Sequence, residues 1–194
     1  MLTPLLETAG RAGVQTLTLY AFSTENWTRP EREVKTLMKL FLETAREKVP
    51  ELNERGARLR FLGRREHLPA SVLEAMQEAE DLTSANDSLD VYIALDYGGR
   101  AEIVDAARRM VADGLSPEEI DEMTFAGYLY APDVPEVDLV IRTSGELRVS
   151  NFLLWQIAYA EFYVTDTLWP DFSPKEFMLA LESFGSRSRR RGGV

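Results

Sequence analysis

The sequence contains no cysteine and only one histidine, His67. The missing thiols exclude disulfides, thiolate metal sites and cysteine nucleophiles, and their absence is typical of a reducing compartment. Basic residues are outnumbered by acidic ones, 22 against 32, so the formal net charge is -10. A general nucleic-acid binder needs a broad basic surface to displace counterions from phosphates, and this composition argues against that class. We expect a cytoplasmic protein with no nucleic-acid partner.

Long apolar runs are also missing from the chain. No stretch reaches the roughly 18 apolar residues of a membrane span, and the N-terminus lacks the basic-then-apolar pattern of a signal peptide. We therefore expect at most peripheral membrane contact, such as contact with the inner membrane surface. A length of 194 residues with 45% hydrophobic content is enough for one buried core. The sequence predicts a single domain over residues 1–194.

Short apolar, β-branched runs alternate with longer helical patterns along the chain. This alternation is typical of the α/β class, with a mostly parallel central sheet flanked by helices on both sides. Strands are predicted at residues 14–22, 58–62, 89–95, 137–142 and 162–164. Helices are predicted at residues 31–53, 71–83 and 102–112, with two more beginning near Pro117 and Pro174.

Capping patterns support three of the predicted helix starts. Thr28 and Glu31 form a plausible capping box for the helix at residues 31–53, and Gly56 is suited to end that helix. The segments 116–119 and 173–176 each read Ser-Pro-x-Glu, which combines an N-cap, a first-turn proline and an N3 glutamate.

Polar clusters follow three of the predicted strands, at residues 23–29, 96–100 and 142–151. Because the carboxyl ends of parallel strands share one edge of a sheet, we expect these loops to meet. Arg142 and Arg148, with the hydroxyl groups of nearby threonine and serine residues, are suited to bind phosphate oxygens. Alternatively, the two arginines pair with Glu146 and Asp138.

Two further features of the sequence allow either a functional or a structural interpretation. Trp27, in a polar loop, either contacts a ligand or covers the edge of the core. Glu161 lies among aromatic residues, where a buried carboxylate needs a compensating partner. Magnesium shared with a substrate diphosphate would compensate the charge, and so would a basic side chain.

Three stretches resemble the cis-prenyltransferase family, most closely its bacterial undecaprenyl diphosphate synthases. They are LTLYAFSTENWTRPEREV at residues 17–34, YGGRAEI at residues 97–103, and DLVIRTSGELRVSNFLLWQIAYAEFYVTDTLWPDF at residues 138–172. The resemblance covers essentially the whole chain. It implies a transferase that condenses isopentenyl diphosphate with an allylic diphosphate, such as farnesyl diphosphate, to form a cis-polyprenyl diphosphate with the help of Mg2+.

The resemblance also implies roles for individual residues. Asn26 matches the position proposed to assist proton removal, although a neutral amide is a poor base, and Glu161 matches a magnesium ligand. The substrate-binding positions that it implies are Ser23, Thr24, Glu25, Trp27, Arg29, Arg142, Arg148, Ser150 and Arg190. Arg190 belongs to an Arg-x-Gly element that reaches across a homodimer interface in the family, so the resemblance implies a homodimer.

An apolar tunnel between the sheet and the helices holds the product tail in the family. The candidate walls in this sequence are Ala21, Leu89, Val91, Ile93 and the face that Met38, Phe41 and Leu42 form on the helix predicted at residues 31–53. From periodicity alone these residues would be ordinary core.

The sequence departs from the family pattern at its N-terminus, at Leu147, which is histidine in some relatives, and at Asp96. The family begins with an apolar strand and an Asp-Gly-Asn-Gly-Arg-Trp loop, which supplies another magnesium-binding aspartate and cradles the allylic diphosphate. Residues 1–194 contain neither, and we expect a chain that begins at Met1 to show little or no turnover. The alternative function is therefore a non-catalytic or inactive subunit that lacks this loop. Asp96 replaces a common asparagine, and we expect it to repel diphosphate or to pair with Arg100.

Overall fold

Strands and helices alternate along residues 2–187, the part of the chain that the computed structural model describes. The strands are β1 (Thr16–Ser23), β2 (Ala57–Leu62), β3 (Leu89–Tyr97), β4 (Leu139–Arg142) and β5 (Glu161–Val164). The helices are α1 (Leu2–Arg11), α2 (Glu31–Glu54), α3 (Ala70–Thr83), α4 (Gly99–Ala112), α5 (Glu122–Gly127) and α6 (Pro174–Gly185). Short 3-10 turns cover Thr24–Thr28, Pro117–Glu119 and Trp169–Asp171.

Every strand pair within residues 2–187 is parallel, and the strands described there form two groups. β1, β3 and β2 pair in that order, and β4 pairs with β5. Side chains alternate between the two faces of a strand, and both faces of β3 are buried. Val91 and Leu95 enter one core cluster, while Tyr92 and Ala94 enter the other. This burial explains the nearly continuous apolar run in β3, and the predicted α/β class is confirmed.

Helices cover one face of the three-stranded group. Leu5 of α1, Met38 of α2, Val72 of α3 and Phe177 of α6 are all buried in the same cluster as Val91. No helix within residues 2–187 combines the length and the apolar character that crossing a membrane requires.

The opposite face of the sheet is covered largely by irregular chain. Leu153 and Ile157, which follow β4, pack with Tyr92 and Tyr97. Helix α4 is tied to this layer by Glu102, which is 1% exposed and accepts a 2.5 Å hydrogen bond from the Tyr97 hydroxyl. The long loop that follows β4 is thereby fixed against the sheet.

The predicted start at residue 31 is confirmed, but its capping box is not formed, and the predicted start near Pro117 is wrong. Helix α2 follows Pro30 directly, while Thr28 lies in a 3-10 turn and donates its hydroxyl to the Glu25 carbonyl. At Pro117 the capping box forms only a 3-10 turn, because Ile120 is extended and Asp121 then caps α5 by accepting from the Thr124 amide at 2.7 Å. The start at Pro174 is confirmed, since Ser173 caps α6.

Candidate active site

The loops after β1, β3 and β4 meet at one edge of the fold, as predicted. Trp27 joins the first two loops by donating its indole N–H to Asp96 Oδ1 at 2.6 Å. Asn151 joins the third loop to the first by donating from Nδ2 to Glu25 Oε1 at 2.7 Å. The Gly99 amide donates to the Asn151 carbonyl at 2.7 Å and joins the second loop to the third. We call this edge, residues 23–29, 96–100 and 142–151, the rim.

Backbone strain is concentrated at the rim. Within residues 2–187, all non-glycine residues with a left-handed φ lie in or next to its second and third loops. They are Asp96, Ser144, Ser150, Asn151 and Leu153. Such conformations each cost on the order of 1 kcal/mol or more and cluster at functional sites. The third loop is therefore held in a shape that its sequence alone would not favour.

Arg142 has hydrogen-bonding capacity left over at the rim. Its Nη2 donates to Ser150 Oγ at 3.3 Å, while its Nε is buried without a hydrogen-bond partner. It forms no ion pair with any residue in the range 2–187. A buried N–H donor without a partner is costly unless an acceptor such as an anion binds it. Arg142 is therefore suited to bind an anionic ligand.

Arg148 is paired, in the way that the alternative interpretation of the sequence predicted. Its Nη2 lies 2.9 Å from Glu146 Oε1, and its side chain is 70% exposed. An exposed ion pair of this kind contributes at most about 1 kcal/mol. The pairing leaves Arg148 able to turn toward a ligand.

The first rim loop fixes the orientation of Asn26. The Ser23 amide donates to Asn26 Oδ1 at 2.9 Å, so the oxygen faces the backbone of its own loop. Because Oδ1 already accepts this bond, the amide presents its Nδ2 donor for further contacts. Arg29, at the end of this loop, pairs with Glu33 on α2 at 2.6 Å rather than with any residue of the rim.

Glu25 is held as a carboxylate by its neighbours. Burial acts to raise its pKa, but hydrogen bonds from its own backbone amide and from Asn151, Ser23 and Thr24 outweigh that effect and leave the pKa below its usual value. The Thr24 hydroxyl lies 3.2 Å from Glu25 Oε2. Glu25 is therefore ionised at neutral pH and serves as an acceptor at the rim.

Trp27 covers the edge of the core, as its structural interpretation predicted. Its ring packs edge-to-face on Phe22 with the centroids 5.1 Å apart. The expectation for Asp96 was wrong: it is 1% exposed and accepts from Trp27 instead of pairing with Arg100. His67 lies 3.5 Å from Asp96 Oδ2, which is an ion-pair distance without hydrogen-bond geometry. Burial beneath Trp27 removes this carboxylate from any ligand.

Glu161 has a basic partner, which was one of its two predicted means of compensation. Arg187 Nη1 lies 3.1 Å from Glu161 Oε2, and the Glu161 side chain is 25% exposed. Residues 2–187 contain no group of three or more His, Cys, Asp or Glu that could hold a metal ion by themselves. Arg190, the remaining predicted site residue, lies outside the described residues.

A large apolar cavity of about 1240 Å³ opens beside the rim. It is lined by the predicted wall residues Ala21, Met38, Phe41 and Ile93, and by both site arginines, Arg142 and Arg148. The other predicted wall residues do not line it, because Leu89 and Val91 are buried in the core and Leu42 packs against that core. The cavity thus has cationic groups at one part of its wall and apolar side chains over most of the rest.

Two residues, Asn151 in the rim and Tyr20 beside it, were not predicted as site residues from the sequence. Tyr20 donates its hydroxyl to the carbonyls of Tyr97 at 3.2 Å and Ser150 at 3.4 Å, and its ring stacks on Phe152. Burial, and next the charge of Glu25, raises its pKa to about 12, so it stays a neutral donor. Asn151 was recognised only as part of the loop. Its place directly after Ser150 in a polar rim loop was the available signal, whereas Tyr20 resembles any strand residue.

The sequence and the fold of this chain are similar to those of known proteins. The family described as "Putative undecaprenyl diphosphate synthase" matches residues 1–192. An isoprenyl transferase of Fusobacterium nucleatum is 51% identical over 97% of this chain and 81% of its own length.

A ditrans,polycis-undecaprenyl-diphosphate synthase of Legionella pneumophila, specific for (2E,6E)-farnesyl diphosphate, is 50% identical over 93% of this chain and 78% of its own length. The crystal structure of lavandulyl diphosphate synthase from Lavandula x intermedia, solved with dimethylallyl diphosphate, superposes with a TM-score of 0.95 at 36% identity, covering 99% of this chain and 85% of that one. With its sequence matched almost from end to end and its fold shared, the chain belongs to the undecaprenyl diphosphate synthase family of prenyltransferases.

Proposed function

We propose that the protein is a cis-prenyltransferase that condenses isopentenyl diphosphate with an allylic diphosphate to form a cis-polyprenyl diphosphate. The observation that carries this proposal is the buried, unpartnered Nε of Arg142 at the wall of a 1240 Å³ apolar cavity. A diphosphate ester of an isoprenoid alcohol has a head with several negative charges and a hydrocarbon tail. A cationic rim joined to an apolar cavity is complementary to both parts of such a molecule.

The diphosphate of isopentenyl diphosphate binds to Arg142, Arg148 and Ser150. Each charge-assisted hydrogen bond contributes about 1.5 to 3 kcal/mol, so a few of them hold an anion in a protein whose net charge is -10. Arg190 of a second copy completes this subsite in a homodimer, as the family resemblance implies. Ser23, Thr24, Glu25, Trp27 and Arg29 provide the remaining substrate contacts on the first rim loop.

Asn26 orients the isopentenyl unit and does not act as a base. Its Oδ1 is engaged by the Ser23 amide, and a neutral amide is a poor proton acceptor in any case. In the reaction, the bond from the allylic carbon to its diphosphate breaks, a carbon–carbon bond forms, and the isopentenyl unit loses a proton. The departing diphosphate is the most basic group available and accepts that proton. The rim contributes by holding the two substrates in attack geometry.

Magnesium is the cofactor, with Glu161 as its ligand on this chain. The donor set fits, because Mg²⁺ is usually held by one or two carboxylates together with substrate phosphates, and Glu161 is a partly exposed carboxylate. When bound, the ion stabilises negative charge on a diphosphate. Arg187, which pairs with Glu161 in this structure, is the group that the cation would displace.

The hydrocarbon tail occupies the apolar cavity, which serves as the tunnel for the growing product. Farnesyl diphosphate is the allylic substrate that we favour, because a relative half identical to this chain is named for its specificity toward it. We place the protein in the cytoplasm, where its substrates and a reducing environment occur together.

Incubation with labelled isopentenyl diphosphate, farnesyl diphosphate and Mg²⁺ tests the proposal, with a reaction lacking farnesyl diphosphate as the control. We expect labelled lipid that is longer than farnesyl in steps of five carbons and that forms only when the allylic substrate is present. Binding of isopentenyl diphosphate without any product would instead support the non-catalytic subunit. A protein that neither binds isopentenyl diphosphate nor forms product would contradict both functions.

A further inference from the structure

Asn151, in the third rim loop, contacts the other two rim loops through three separate polar atoms. Its Nδ2 donates to Glu25 Oε1 at 2.7 Å, 126 positions away along the chain. Its Oδ1 accepts from the Arg100 amide at 2.8 Å, and its own carbonyl accepts from the Gly99 amide at 2.7 Å. One residue of the third loop thus fixes both the first and the second.

The backbone at Asn151 is shaped for this contact. Its φ is +60°, in the left-handed region that asparagine tolerates better than most residues. Gly98 provides the space on the opposite side, because a Cβ there would lie 2.8 Å from Asn151 Nδ2 and 2.5 Å from Thr24 Oγ1. Both residue types are thus required for the loops to approach this closely.

Asn151 directly follows Ser150, which accepts a hydrogen bond from Arg142. It is also bonded to Glu25, the neighbour of Asn26. We propose that Asn151 is a positioning residue that sets the isopentenyl diphosphate subsite, Arg142 and Ser150, against the loop that carries Asn26. This inference rests on the proposed function, because it concerns how the two halves of that site are aligned.

Asn151→Asp changes this link with the smallest change of shape. The aspartate keeps an oxygen for the Arg100 amide, but it loses the donor to Glu25 and places a second carboxylate against the first. Misalignment of reacting groups by about 1 Å costs roughly 100-fold in rate. We expect kcat to fall by about 10- to 100-fold, whereas the affinity for isopentenyl diphosphate alone stays within about threefold, because Arg142 and Ser150 are unchanged.

A second substitution tests whether the effect passes through Glu25. In the double variant N151D/E25Q, a glutamine amide can donate to the new carboxylate and restore the bond with reversed polarity. We expect the factor by which N151D lowers kcat to be at least five times smaller in the E25Q background than in the wild-type background. A purely structural role for Asn151 would lower stability without this coupling in kcat.

The measurements are kcat and KM for both substrates, calorimetric binding of isopentenyl diphosphate alone, and urea unfolding of each variant. Asn151→Gly keeps the left-handed backbone and removes both side-chain bonds, so it replaces N151D if that variant fails to fold, with the same loss in kcat expected. If the wild type is active, either of two results overturns this inference alone. One is that kcat of N151D and of Asn151→Gly stays within twofold of the wild type. The other is that N151D lowers kcat by the same factor in both backgrounds. An inactive wild type overturns the proposed function, and this inference with it.

Discussion

Replacing Arg142 with alanine removes the side chain whose buried Nε has no partner in the protein. Because no ion pair of Arg142 is broken, the substitution should change the free energy of unfolding little. A guanidinium group that makes two hydrogen bonds to a diphosphate contributes about 3 kcal/mol at the low end of the usual range. At about 1.4 kcal/mol for each factor of ten, this corresponds to roughly a 100-fold loss of affinity.

Calorimetric titration of isopentenyl diphosphate into each variant measures this loss. Arg142→Lys keeps the charge but not the planar guanidinium group, and we expect its affinity for isopentenyl diphosphate to fall about tenfold. Arg32→Ala, an exposed position on α2, is the matched control and should bind like the wild type. The reasoning is refuted if Arg142→Ala binds within threefold of the wild type, or if Arg32→Ala loses as much.

Three further predictions concern stability and are measured by urea unfolding. Glu102 is a buried acceptor of hydrogen bonds from Tyr97, Tyr130 and Gln156, so Glu102→Gln should lower the free energy of unfolding by about 1 to 3 kcal/mol. An unchanged urea midpoint would contradict this. Gly63→Ala should lower the free energy of unfolding by roughly 2 kcal/mol or more, because φ of Gly63 is +129° and the new Cβ would overlap the backbone of β3. Gly10→Ala is the control, since its Cβ would enter open space and should not destabilise the protein. The hydrogen bond from Arg64 lowers the pKa of Asp105, so the stability advantage of the wild type over Asp105→Asn is fully present at pH 7 and shrinks as the pH falls through that lowered pKa. An advantage that does not change with pH in the acid range would contradict this prediction.

The sequence predicted the parts of the fold that depend on local pattern. The strand predicted at residues 89–95 from its apolar, β-branched run is observed as β3, Leu89–Tyr97. The start of α6 depends only on Ser173 and its neighbours, so it was predicted correctly. At Pro117 the same pattern failed, because Asp121 offers a second cap four residues later and the chain is extended between them.

The site was predictable as a set of loops but not as a set of contacts. Parallel strands bring their following loops together, which places Trp27, Asp96 and Arg142 at one edge from the order of the strands alone. Which carboxylate is buried depends on long-range packing, so the sequence could not show that Asp96 lies beneath Trp27. The bond from Asn151 to Glu25 spans 126 positions and likewise leaves no local signal.

The geometry of the double bond formed in the first condensation tests the central claim most directly. The wild-type protein would be given farnesyl diphosphate, Mg²⁺ and a limiting amount of ¹³C-labelled isopentenyl diphosphate, and the C20 product would be examined by NMR. The account predicts a cis double bond in the newly added unit. A trans double bond, or no product from protein that binds both substrates, would contradict it.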